Sequence, residues 1–67
     1  MKTKEQILSQ LYISPKDLKI LIPELGIHNC QQIIKSIREE MENKNIFVPN
    51  SKPILAQTKL VIKILGI

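Results

Sequence analysis

Cys30, Ile33, Ile34, Ile37 and Met41 recur at i, i+3, i+4, i+7 and i+11. On a helix that spacing gathers the five side chains into one apolar stripe, because 3.6 residues complete a turn. A stripe of three turns has to be covered, so the rest of the chain must fold over it. The chain has 67 residues, and a domain of this size buries only about 60% of the surface it exposes when unfolded. A single domain over residues 1–67 is therefore expected, built around this one helix. The hydrophobic fraction of 43% suits a packed core rather than a disordered chain. Tyr12 and Phe47, the two aromatic residues, are expected in that core.

The segments around the stripe carry start and stop signals. Thr3 with Gln6 three residues later forms a capping-box pattern, which predicts a leading helix over 4–10 with Ile7, Leu8 and Leu11 on one face. Tyr12-Ile13 suits a brief extended segment. Ser14-Pro15-Lys16-Asp17 is a helix start: Ser14 caps, Pro15 fits the first helical position, and Asp17 favours the positive end of the dipole. Leu18, Leu21, Ile22 and Leu25 then make a stripe, interrupted by Pro23, which disfavours helix at Ile22. Gly26 is expected in the left-handed conformation that ends a helix. Ile27 should tuck into the core, and His28 or Asn29 should cap the striped helix, Asn29 being the better cap.

After the striped helix, Asn43-Lys44-Asn45 is a stop. Ile46-Phe47-Val48 favours a strand, Pro49 to Pro53 a turn, and Ile54-Leu55-Ala56 a returning strand. The expectation is a hairpin over 46–56; the rival is a last helix that begins at Pro53 and abolishes the second strand. Thr58 can cap a C-terminal helix over 58–65, which stops at Gly66. The fold class expected is mostly α with a small β-hairpin, and two helices around a tight turn, then a hairpin, then a packing helix is the order of a winged helix-turn-helix, with the paired helices over 15–42.

In that fold the outer face of the second helix enters a DNA major groove. Gln31 and Gln32 lie in its first turns, where glutamine can pair with adenine; Lys35 and Arg38 can reach guanine or phosphate; His28, Asn29 and Ser36 border the face. Lys44, Asn50, Ser51 and Lys52 make up the candidate contacts of the wing. The bases Lys35 and Arg38 precede the acids Glu39, Glu40 and Glu42, the reverse of what the helix dipole prefers. Pairs Lys35–Glu39 and Arg38–Glu42 at i, i+4 recover part of that loss. The pattern fits a helix whose first half meets a polyanion, and equally a solvated face with locally paired charges. The net charge of +4 favours an anionic partner.

Other chemistry is set aside. His28 and Cys30 are too few for a structural metal site, Cys30 lies on the apolar stripe, and no third group orients a nucleophile. No cofactor, metal or enzymatic activity is expected. No glycine loop cradles a phosphate, and no aromatic platform for single strands is evident. One cysteine and no apolar run of ~18 residues point to a soluble cytoplasmic protein with no membrane partner.

The segments SPKDL, ELGI, QQIIKSIREEM, NIFVP and TKLVIKILGI, from Ser14 onward, resemble small excisionase-like proteins of Gram-positive phages and integrative elements. That resemblance implies a MerR-like winged helix that binds double-stranded DNA near an attachment site or promoter. It also implies that the protein bends DNA, by repeated binding or self-association, or recruits integrase toward excision, or else regulates local transcription. Such a protein would act at the nucleoid. Pro23 departs from the uninterrupted first helix of that family. Two other readings stay open: a protein-interaction module, such as an antirepressor or antitoxin-like partner, and a DNA-binding homodimer formed through Val61, Ile62 and Ile64.

Overall fold

The computed structural model describes residues 2–50 and 52–66. The element order is α1 (Lys4–Leu8), β1 (Tyr12–Ile13), α2 (Pro15–Leu21), α3 (Ile27–Asn43), β2 (Ala56–Gln57) and α4 (Thr58–Leu65). The fold is small and mostly helical, with one two-stranded antiparallel ladder, and is compatible with a helix-turn-helix arrangement.

α1 starts where its capping box dictates: Gln6 N donates to Thr3 Oγ1 at 3.2 Å, and Thr3 N to Gln6 Oε1 at 2.9 Å. It ends at Leu8, short of the expected Gln10, as the Ser9 hydroxyl donates to Gln6 O at 2.8 Å and competes with the backbone for it. Only Ile7 of its expected apolar face enters the core; Leu8 and Leu11 stay exposed.

α2 is fixed at both ends by short-range signals. Asp17 N donates to Ser14 Oγ and Ser14 N donates to Asp17 Oδ2, with Pro15 in the first turn. Pro23 stops it: Ile22 leaves the helical region at φ −130° and ψ 82°, as a residue before proline must. The turn to α3 is then closed by Leu25 N donating to Ile22 O at 3.1 Å and Lys19 Nζ to Leu25 O at 2.9 Å.

Three expectations for this turn are corrected. Gly26 is not left-handed; at φ −70° and ψ 155° it is extended and is itself the N-cap of α3. Pro23 has already ended α2, so no left-handed residue is needed. His28 and Asn29 consequently lie inside the first turn of α3 and cap nothing. Ile27 is 41% exposed, not tucked into the core.

The stripe of α3 is the centre of the fold. Cys30, Ile34, Ile37 and Met41 are fully or almost fully buried and Ile33 is half-buried. Ile7, Ile13, Leu18, Ala56, Leu60 and Val61 complete the core around them. Burying a side chain of this size contributes roughly 1.5–3 kcal/mol, so the stripe carries much of the stability of so short a chain. α3 ends through Asn45, left-handed at φ 59°. Asn45 N donates to Glu42 O at 3.1 Å and Ile46 N to Met41 O at 2.8 Å, the paired bonds of a Schellman motif.

The hairpin predicted over 46–56 does not form. Residues 46–50 are irregular, and Ala56–Gln57 pairs with Tyr12–Ile13 in the register Tyr12↔Gln57, Ile13↔Ala56. Thr58 N donates to Leu11 O at 3.1 Å and continues that ladder. Two causes act together. Pro49 and Pro53 lack the N–H groups that a ladder needs, and β1 already occupies the edge of β2. The rival helix from Pro53 is also absent, since α4 begins at Thr58.

Thr58 is not the cap of α4. Gln57 holds that position without a side-chain bond, and the buried Thr58 Oγ1 has no hydrogen-bond partner. Gly66, left-handed at φ 70°, ends α4 as expected. Of the three apolar residues proposed for a dimer face, Val61 belongs to the core, Ile62 is half-buried and Ile64 is exposed. Phe47, expected in the core, is 72% exposed. Among the described residues no helix is long and apolar enough to cross a membrane.

Candidate nucleic-acid interface

Burying the stripe of α3 turns its opposite face outward. His28, Asn29, Gln31, Gln32, Lys35 and Ser36 are all exposed. Gln31 and Lys35 form one i, i+4 row; His28, Gln32 and Ser36 form the next. The first row borders an opening of about 390 Å³. It is lined by Gln31 and Lys35 of α3, by Lys52, Pro53 and Ile54 of the later segment, and by Pro15 at the start of α2. The fold thus brings three of the expected site residues, Gln31, Lys35 and Lys52, around one space. That Lys52 lines the same opening as Lys35 comes from the fold of the chain after α3, not from proximity in sequence.

Arg38 departs from expectation. It continues the Gln31–Lys35 row by one turn, but its Nη1 donates to Pro49 O and to Leu55 O, each at 3.0 Å. Its guanidinium is therefore directed at the loop and is half-buried. The expected Arg38–Glu42 pair gives way to these two carbonyls, which a planar guanidinium can bridge while solvent competes less. Lys44 stands at the far end of α3, 4.0 Å from Glu40; both side chains are well exposed, so the pair contributes little. Asn50 is exposed on the loop, and Ser51 lies outside the described residues.

The titration of nearby groups separates packing from chemistry. Burial pushes the Cys30 thiol up, and the charge of Lys19 only partly offsets this. With zero exposure Cys30 is a packing residue, as its place on the stripe implied. Asp17 sits under the start of α2. Burial acts to raise its pKa, but the Ser14 N–H, the Gln10 amide and the Lys2 ammonium outweigh that and hold the carboxyl below the ordinary range. Gln10 Nε2 donates to both Asp17 Oδ2 and Tyr12 O, and Lys2 Nζ lies 3.4 Å from Asp17 Oδ1. The network ties α1 and β1 to the helix that supports α3. Among the described residues, no group of three His, Cys, Asp or Glu side chains is placed to hold a metal.

Two features of the surface went unread in the sequence. A second opening of about 460 Å³ lies on α2 between Lys16, Lys19, Ile20 and Pro23. Its wall is mostly apolar, and Lys19 is already bonded to Leu25 O, so it offers little to a base edge despite its size. The spacing of Ile20 and Pro23 off the α2 stripe was its only trace in the sequence. The other feature is Phe47: its neighbours Ile46 and Val48 pack against the core while its own ring faces out. An exposed aromatic therefore does exist beside the loop, contrary to the sequence reading.

No protein family, curated protein or solved structure matches this chain significantly.

Proposed function

We propose that the protein is a winged helix-turn-helix DNA-binding protein in which α2 and α3 are the paired helices, α3 reads the major groove, and residues 44–55 serve as the wing without a hairpin. One observation carries this reading: Gln31 and Lys35 on the exposed face of α3 share one open space with Lys52 from the following loop. Glutamine and lysine at the rim of a groove supply base-edge and phosphate contacts respectively. The acidic residues Glu39, Glu40 and Glu42 lie toward the other end of α3, where they can point away from a polyanion.

The reading extends to a mobile element's excisionase or local regulator, on the resemblance of the motifs described above. In that role the protein acts at the nucleoid, does no bond chemistry, and steers an integrase or a promoter by binding and bending duplex DNA.

Gel shifts on the attachment region beside the gene, at two salt concentrations, test it. The affinity should fall steeply with salt. Gln31→Ala should relax base preference, and Lys52→Gln should weaken all duplexes alike while lowering the salt slope by about one. Equal, weak binding to every duplex would sink the specific version. A protein-interaction module is the second reading, favoured by the exposure of Phe47 at 72% and Leu11 at 66%. It wins if Lys35→Glu leaves activity intact while a partner protein still co-purifies.

A further inference from the structure

Arg38, on the α3 row of Gln31 and Lys35, is engaged with the chain itself. A single nitrogen, Nη1, donates to Pro49 O and Leu55 O, both at 3.0 Å. Those two carbonyls flank the segment that carries Lys52, Pro53 and Ile54, which line the opening with Gln31 and Lys35. The guanidinium thus fastens Pro49 and Leu55 to α3 one turn beyond Lys35.

We infer that Arg38 is a positioning residue: by holding Pro49 and Leu55 it keeps Lys52 at the opening that Lys35 also lines, and the two lysines receive phosphates of one DNA strand there. This rests on the duplex-binding reading above. A guanidinium suits the task because it keeps its charge at any working pH and presents several donors in a rigid plane. Lysine carries the same charge on a flexible stem one bond shorter, so its ammonium reaches the two carbonyls less well and holds them less firmly. Arg38 therefore acts on DNA through Lys52, and its own charge does not meet a phosphate.

The test compares the full-length protein with Arg38→Gln, Arg38→Lys, Lys52→Gln and the Arg38→Gln/Lys52→Gln double variant, on a labelled mixed-sequence DNA duplex across a salt series. Two residues that act as one unit are non-additive. The double variant should bind within about twofold of Arg38→Gln, and Arg38→Lys should fail to restore affinity. Losses that multiply in the double variant, or full rescue by Arg38→Lys, would show that Arg38 touches DNA directly and would overturn the inference. Amide hydrogen exchange without DNA gives an independent readout. Exchange in residues 49–55 should quicken in Arg38→Lys while α3 stays protected; unchanged exchange there also overturns the inference. If Arg38→Gln does not fold, the rescue and exchange arms of Arg38→Lys still decide. A wild-type protein that binds no duplex, with exchange quickened as expected, would remove the DNA reading and leave the loop-holding role standing.

Discussion

The two stretches that flank α3 are built on different principles. The stretch before it, from Thr3 to Gly26, is a succession of short-range devices: a capping box on α1, another on α2, a proline stop and a four-residue turn. Apart from the ladder that β1 makes with β2 and the Lys2–Asp17 pair, the bonds there join residues close in sequence. The stretch after it, from Lys44 to Gln57, is irregular for most of its length. It is fastened by Arg38, eleven and seventeen residues from its two carbonyl partners, and by a strand that borrows β1 from the other end of the chain. A locally specified segment takes its turns and caps from its own residues, whereas the distal segment takes its geometry from α3 and β1. Loop-closure entropy opposes such distant contacts until the core rewards them.

The sharpest way to break this contrast is to exchange apolar side chains on its two sides. Leu18→Ala, fully buried before α3, should lower stability by about 2–5 kcal/mol in urea unfolding, enough to unfold much of so small a domain. Phe47→Ser, after α3, should change stability by less than about 0.5 kcal/mol, because the ring is largely in water. A large loss for Phe47→Ser would mean that the distal segment is packed and not merely tethered.

Acid should probe the proximal side alone. The Asp17 carboxyl is held below its ordinary pKa in the folded protein, so ionised Asp17 stabilises the fold. That contribution is complete above the unfolded value, near pH 4, and is lost as pH falls through the lowered folded value. Thermal midpoints should therefore fall with acid more steeply in the wild type than in Asp17→Asn, and parallel curves would count against the network that joins α1, β1 and α2.

The smallest effects come from repairing one helix start on each side. Thr58→Val replaces the buried, unpartnered hydroxyl that follows the distal segment and should gain about 1 kcal/mol. Gly26→Ser adds a cap where a Cβ would meet nothing within 4 Å and should gain a few tenths of a kcal/mol. A loss at Gly26→Ser, measured by thermal melting, would restore the idea that this glycine is conformationally required.

The candidate site was legible to the extent that it lay on α3. Gln31, Gln32, Lys35 and Ser36 face outward because Cys30, Ile34, Ile37 and Met41 face inward, and that division is written in the spacing. Arg38 was legible by position and misread by role, since the carbonyls it meets come from a segment whose path no local pattern fixes. Ile46-Phe47-Val48 has strand composition, but composition does not choose a partner; the prolines and β1 decided that. Gly26 carried a familiar signal that Pro23 had made redundant three residues earlier.

The sequence by itself determined where α2 starts and stops, the buried stripe of α3, the capping of α1 and the glycine end of α4, because each rests on side chains within a turn or two of one another. Only the tertiary structure decided that β2 pairs with β1, that Arg38 bridges Pro49 and Leu55, and that Lys52 lines one opening with Gln31 and Lys35. Those contacts join segments far apart along the chain, and their geometry exists only once the α3 stripe has been buried.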